Sequence, residues 1–413
     1  MRVAIVHEWL DQYAGSERVL EELLGLFPQA DLYALVDFVP AAERGFLGGR
    51  AVRTSFIQRL PFARTRFRNY LGLMPLAVEQ FDLSGYDLIL SSNHAVAKGV
   101  ITGPDQVHVS YVHSPMRYAW DLQAQYLRQS GLDRGAKGLY ARWLLHRLRN
   151  WDVRSANGVD VFVANSTYIA DRIRKVYRRE AEVVAPPVDT ERFTAGRFDA
   201  GCEPGGAYLV ACRFVPYKRV ELIVEAFAAM PQRRLIVVGG GPERGRVHAA
   251  AAGCANIELR PPVSQAALVQ LMQGARAFVF AAEEDFGITL VEAQACGVPV
   301  IAFGRGGSRD IVIETDRADP TGVLFGEQTA EAVAAAVSRF EVEAFRITAA
   351  ACRANAMRFS TAAFRARLLD VVARAMKAHP AARRQNAAGA PGGACAPLQR
   401  HPGLADAHAE AGR

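Results

Sequence analysis

The sequence predicts an α/β protein of two Rossmann-like domains, and three observations carry that expectation. At 413 residues the chain is too long for one core of ordinary size. Short apolar runs such as Val3-Ala4-Ile5-Val6, Leu235-Ile236-Val237-Val238 and Ala277-Phe278-Val279-Phe280 read as buried strands, each leading through a turn into a helix. Several of those turns carry glycine, at the strand ends where open α/β sheets bind anions.

Composition bounds the function. Half of the residues are hydrophobic and 22% are charged, a globular balance. The net charge of +7 suits an anionic substrate or an anionic membrane surface and does not by itself indicate nucleic acid, which is not an expected partner. Six cysteines, at 202, 212, 254, 296, 352 and 395, show no metal-ligand spacing and are read as reduced and cytosolic. No Asp-x-Asp motif is apparent, so no metal site and no cofactor are expected. The opening Arg2–Val6 run is too short for a secretory leader, and no apolar run approaches the roughly 20 residues of a membrane span.

The first strand, Val3 to Val6, ends in a loop through Ala14-Gly15-Ser16 and then a helix from Val19. Ser16 can cap that helix, and Gly15 allows close approach at the first βα turn. Residues 50–77 interleave Arg50, Arg53, Arg59, Arg64, Arg66 and Arg68 with Phe56, Phe62, Phe67, Tyr70 and Met74. Such a mixture suits membrane headgroups or a lipid diphosphate, and equally a half-buried helix with a solvated basic face. Tyr86 to Ser92 and Val107 to Val112 are strands, the latter stopped by His113-Ser114-Pro115. His113 therefore lies on the ligand side of the sheet, where a lone histidine is commonly structural; His7 and His94 are weaker candidates. Leu139 to Val153 is a helix packed through Trp143, Leu144, Leu148 and Trp151. Asn165-Ser166-Thr167 caps the next helix, and Ala185-Pro186-Pro187 opens a linker that runs through the glycine-rich 201–206.

In the second half, Ala207 to Ala211 is a strand whose following turn holds Arg213 and Lys218, a guanidinium fork and a point charge suited to a diphosphate. Gly239-Gly240-Gly241 follows another strand, but Pro242 and the absence of an acidic ribose ligand argue against a dinucleotide. Ile257 to Arg260 is a strand and Ser264 caps a helix. The most informative stretch is Glu283-Glu284-Asp285-Phe286-Gly287-Ile288-Thr289-Leu290-Val291-Glu292-Ala293-Gln294-Ala295-Cys296-Gly297. It reads as a turn at a strand end followed by a helix starting near Gly287 or Ile288 and stopped by Gly297. The unpaired N–H groups of Ile288, Thr289 and Leu290, with Phe286 and Gly287 before them, offer a phosphate site. Glu284 and Glu292 frame it, and a carboxylate accepts paired hydroxyls of a sugar or ribose. Taken alone, the pair fits a solvated acidic turn equally well. Helices are expected over Glu343–Met357 and Thr361–Met376, followed from about 378 by an aperiodic tail expected to be disordered.

This glutamate pair, seven residues apart in the setting Glu-Asp-Phe-Gly-Ile-Thr-Leu-Val-Glu-Ala-Gln-Ala-Cys-Gly, resembles the donor motif of retaining GT-B glycosyltransferases. Tyr111-Val112-His113-Ser114-Pro115-Met116-Arg117-Tyr118 resembles a branch containing bacterial polysaccharide mannosyltransferases. The resemblance runs through residues 1–377, with Ala14 standing where the family usually has a second glycine. It implies two domains facing across a cleft, residues 1–190 with a crossover helix 361–377 for the acceptor and 191–360 for the nucleotide sugar. It implies donor contacts at Gly15, Arg213, Lys218, Gly239 and the 286–290 turn, with Glu292 on the ribose. His113 and Glu284 are the implied catalytic residues, transferring a hexose such as mannose from GDP-mannose to a lipid-linked glycan. Arg64, Arg66 and Arg68 are the expected acceptor or membrane contacts. Rival functions on the same fold are a nucleotide-sugar-binding protein without transferase activity, an epimerase and a phosphorylase.

Overall fold

The apolar runs become strands of two wholly parallel sheets in the computed structural model, which describes residues 1–196 and 206–379. The first sheet comprises β1 (Val3–His7), β2 (Asp31–Ala34), β3 (Val52–Thr54), β4 (Leu88–Asn93), β5 (Val107–Val112), β6 (Val161–Ala164) and β7 (Ala181–Val183). Its order is β3-β2-β1-β4-β5-β6-β7, so the chain reverses direction between β1 and β4 and opens a crevice at their carboxyl ends. Every residue of β1, β4 and β5 is buried, as expected of strands covered on both faces. Register then sets the floor of the crevice. His7 lies opposite Ser92, and Asn93 opposite Val112, which places His113 one step beyond the sheet edge.

The second sheet holds β8 (Ala207–Arg213), β9 (Leu235–Gly240), β10 (Ile257–Arg260), β11 (Ala275–Phe280), β12 (Val300–Phe303) and β13 (Gly322–Phe325). Its order, β10-β9-β8-β11-β12-β13, puts the reversal between β8 and β11. The turns after those two strands carry Lys218 and Glu284 respectively, so the topology brings the turns together.

Each sheet has its own core, and the terminal helix Thr361–Ala378 belongs to the first one. Its Phe364, Leu368, Val371 and Val372 pack among Val3, Leu20, Leu88 and Tyr111. The two crossings between domains run side by side, with Val188 donating its N–H to the Phe359 carbonyl at 3.0 Å. The fold is therefore two Rossmann-like domains with a helix crossing back, as the sequence predicts.

Local differences have identifiable causes. The helix expected over Glu343–Met357 is interrupted. A helix Ala330–Glu343 ends there, and Thr348 caps a new one, Ala349–Met357, by accepting from the Ala351 N–H at 3.1 Å. Ser16 does not cap the first helix, Gly15–Leu26. Ala14 occupies the cap position, and the Glu17 carboxylate reaches back to the Ala14 N–H at 3.0 Å. Trp143 does not pack inward from its helix, Gly135–Ser155: it is 54% exposed, and Leu145 and Leu148 hold the buried face. Ser166 and Ser264 do cap their helices, at 3.1 and 3.3 Å. Residues 201–205 of the expected linker and residues 380–413 of the tail lie outside the described residues.

Candidate functional site

The Glu283–Gly297 stretch forms the turn and helix that its residues predict. Gly287 stands at the helix N-cap with φ +104°, a conformation costly to any residue bearing a Cβ. The helix runs Ile288–Ala295, and the Leu290 N–H closes on the Gly287 carbonyl at 3.0 Å. The turn rests on a second glycine loop. Gly307 donates its N–H to the Glu284 carbonyl at 2.8 Å, and a Cβ on Gly306 would sit 2.1 Å from that oxygen. Glycine there serves backbone packing beneath the turn.

The first domain supplies the opposite wall. Gly15 and Ser16 open the helix Gly15–Leu26 directly across from the 288–295 helix; a Cβ on Gly15 would lie 3.5 Å from Ile288. Two helix N-termini thus face one space, and their dipoles make it favourable for anions. His113 lies beside them with its backbone held at both ends: its N–H donates to Asn93 at 2.8 Å, and its carbonyl accepts from Asn165 at 2.9 Å. The cavity enclosed by these walls measures about 560 Å³ and is lined by Gly15, His94, His113, Lys218, Glu284 and the 285–289 turn, among others.

Ion pairs organise this cleft. Lys218 contacts Glu284, the two carried by different turns of the second domain. Arg18, from the first domain, meets the buried Glu292 at 2.8 Å. Asp285, between the two candidate glutamates, is clamped by Arg117 and Arg172 of the first domain, and the Ser166 hydroxyl donates to its carbonyl at 2.5 Å. Asp285 is thereby committed to holding the domains together.

The remaining candidates divide. Phe286, Gly287, Ile288 and Thr289 line the cleft, whereas Leu290 is fully buried in the domain core. Arg213 is exposed and outside the lining, and Gly239 is shaped by a neighbour: a Cβ there would fall 2.0 Å from the Cys212 carbonyl oxygen. In the basic segment, Arg68 pairs with Asp11 at 2.7 Å and lies over the Trp9 and Phe67 rings, with its side chain still 58% exposed. Arg64 and Arg66 are exposed beside Phe62, itself 75% exposed. Glu8, Glu17, Arg18 and Arg117 were not singled out from the sequence. Glu8 is completely buried and accepts four backbone N–H groups of residues 94–97 at 2.7–3.0 Å, fixing the loop that carries His94. The Glu17–Arg18 dipeptide at the start of a helix facing an anion site was the available signal.

Charge states follow from burial. Burial, then the charges of His94 and His7, holds the His113 imidazole down to about 3, so it is neutral near pH 7. Burial likewise lowers His108 to about 4 and depresses His94. Burial alone would raise the Glu17 carboxyl, but its hydrogen bond and charge interaction with His7 dominate and bring it to about 2. An unfolded histidine takes its proton near 6.5 while the folded one refuses it, so acidification favours unfolding. His108 alone is expected to remove about 1.4 kcal/mol of stability per pH unit as the pH falls from 6.5 toward 4. Urea midpoints measured from pH 7 to 5 should fall progressively; a flat profile contradicts this account.

Comparison with known proteins places this geometry. A family model described as Glycosyltransferase Family 4 matches residues 13–192, and one described as Glycosyl transferases group 1 matches residues 205–359. A curated relative, D-inositol 3-phosphate glycosyltransferase of Streptomyces bingchenggensis, is 33% identical over 175 residues, covering 36% of this chain and 38% of the relative. The matched region thus spans about two fifths of that relative's length. Among solved structures, Anabaena HepE in complex with UDP superposes with TM-score 0.65 at 17% identity, covering 91% of this chain and all of that one. Sucrose-phosphate synthase from Thermosynechococcus elongatus also gives 0.65, at 18% identity, covering 94% and all of it.

Proposed function

We propose that the chain is a glycosyltransferase of GT-B fold, a retaining hexosyltransferase using a nucleoside diphosphate sugar; the two family-model matches and the fold support this reading. The observation that carries this reading is the convergence on one cleft of two helix N-termini, the Lys218 ammonium and the neutral His113 imidazole. The helix ends and Lys218 balance the leaving diphosphate, and Arg213, exposed on the turn that carries Lys218, is the further cation the resemblance implies. Glu284 holds hexose hydroxyls beside Lys218, and the ribose shares Glu292 with Arg18. Leaving and entering groups occupy the same face of the sugar, so the anomeric configuration is retained without an enzyme nucleophile. In this reading residues 191–360 carry the donor, and residues 1–190 with 361–377 carry the acceptor.

GDP-mannose is the first donor to test, on the resemblance around His113, and UDP-glucose the second, because HepE has been crystallised with UDP-glucose. Thermal unfolding with GDP, UDP and ADP is the deciding experiment. One nucleoside diphosphate at a hundredfold excess over its Kd should stabilise the protein by about 2.7 kcal/mol. No response to any of them overturns the reading. Binding without transfer to any acceptor favours a nucleotide-sugar-binding protein instead.

The acceptor in this proposal is a lipid-linked glycan, reached by peripheral attachment to an anionic membrane on its cytoplasmic side. Among the described residues no helix is long and apolar enough to cross a membrane. Support for attachment is an exposed aromatic and basic surface on the first domain. Phe62, Leu73 and Leu76 are 75, 41 and 50% exposed. The helix Gly135–Ser155 packs beside this segment, a Cβ on Gly72 falling 3.1 Å from Leu144, and shows Leu139, Tyr140 and Trp143 at 71, 62 and 54% exposure. Such side chains enter the headgroup layer while Arg64 and Arg66 meet lipid phosphates, each cation contributing about 1 kcal/mol. Co-sedimentation with phosphatidylserine-containing vesicles should fall with salt without vanishing, and should be lost in a variant carrying Arg64→Glu, Arg66→Glu and Trp143→Ser. Undiminished sedimentation of that variant excludes this face.

A further inference from the structure

Four polar side chains form a continuous buried line beneath the cleft. His113 Nε2 lies 2.9 Å from Ser92 Oγ, Ser92 Oγ 3.0 Å from His7 Nδ1, and His7 Nε2 3.2 Å from Glu17 Oε1. The far end is anchored: Glu17 Oε2 accepts from the Ala14 N–H and the Ser16 hydroxyl, each at 3.0 Å. His7, Ser92 and Glu17 are each 3% exposed or less. Strand register creates the line, because β1 sets His7 opposite Ser92 and β5 delivers His113 alongside.

Donor and acceptor roles propagate along such a line. An ionised carboxylate only accepts, so His7 donates from Nε2 to Glu17. The proton at His7 Nδ1 then sets the sense of the next two bonds: a bare Nδ1 takes the Ser92 proton and leaves the Ser92 oxygen to accept from His113 Nε2, whereas a protonated Nδ1 donates to Ser92 Oγ and turns the Ser92 hydroxyl onto His113 Nε2. Either sense holds a neutral His113 in one tautomer, and its Nδ1 is the ring nitrogen not committed to Ser92.

We propose that Glu17, His7 and Ser92 are positioning residues that fix the tautomer of His113, presenting its Nδ1 to a hydroxyl of the bound hexose. The last step rests on the hexosyltransferase reading; the tautomer does not. A neutral imidazole able to slip between tautomers would offer the hydroxyl a donor at one moment and an acceptor at the next, so the line removes an unproductive state of the site.

The test separates the two layers. Full-length protein with 15N-labelled histidine, with His113 assigned by its loss in His113→Gln, should show His113 in a single tautomer, one ring nitrogen protonated and the other bare, at neutral pH. In Ser92→Ala the His113 signals should move toward averaged tautomers, and Ser92→Thr should restore a single one. With the accepted donor, Ser92→Ala should lower kcat on the order of tenfold to a hundredfold, as for outer partners that orient metal-ligating histidines. Its donor KM should change less than about threefold, because uniform binding is untouched. Averaged tautomers in the wild type, or an unchanged single tautomer in Ser92→Ala, overturn the proposal. Failure of every nucleotide sugar as donor would sink the transferase reading and leave the tautomer result standing on its own.

Discussion

Lys218→Ala is expected to lower transfer from the nucleotide sugar by about two to three orders of magnitude, the loss found when one preorganised charge-stabilising group is removed from an active site. Lys218 is 11% exposed, and its ammonium is held near the Phe280 ring at 4.9 Å and against Glu284. Burial opposes its charge, but Glu284 raises its pKa above the ordinary value, so it stays protonated through the working pH range. A diphosphate on the helix ends carries opposite charge to Lys218 and develops more as the sugar leaves, so the interaction strengthens in the transition state. The loss should therefore appear in kcat as well as in donor affinity. Lys218→Arg should recover only part of it, because a planar fork does not replace a compact ammonium. Release of nucleoside diphosphate in the presence of acceptor is the measurement, with urea unfolding as the control for folding. Activity within threefold of wild type would place the diphosphate elsewhere. Arg213→Ala, at an exposed position outside the cleft lining, should cost less.

Asp152→Ala is expected to produce the largest loss of stability. Lys98 and Asp152 are both completely buried and 2.5 Å apart. Asp152 also accepts from the Trp120 indole at 2.7 Å and from the Tyr177 hydroxyl at 3.1 Å. The Lys98 ammonium has the Ser155 hydroxyl at 2.9 Å and the faces of Trp151 and Tyr177 about it. Removing the carboxylate strands a buried ammonium and two aromatic donors, which costs about 3–5 kcal/mol. For a domain of this size that is on the order of 10 °C in Tm. Asp152→Asn keeps an acceptor without the charge and should fall between. A loss below about 1 kcal/mol in Asp152→Ala would show that water or a rearranged side chain replaces the carboxylate.

Residue patterns made particular elements legible. Val3–Val6 and Ala277–Phe280 are unbroken apolar runs, Val107–Val112 alternates Val107, Val109 and Tyr111 with His108 and Ser110, and all three became buried parallel strands. Asp31–Ala34 and Val52–Thr54 are short strands of mixed composition that owe their strand state to a neighbour in the sheet. Thr348 was a readable cap inside a stretch that otherwise keeps helical composition.

By itself the sequence determined the alternation of strands and helices, the turn and helix start at Gly287 and the capping serines at 166 and 264. Each depends on side-chain period, a missing Cβ or a hydroxyl acting within a few residues of its own position. Only the tertiary structure decided which charges meet. Arg18 finds Glu292 across 274 positions of sequence, Lys218 finds Glu284 across 66, and Ser92 stands between His7 and His113 because β4 lies between β1 and β5. The same packing buried Leu290 and left Arg213 exposed outside the cleft lining. Such pairings follow from strand order and register, which are set by how whole sheets bury their faces.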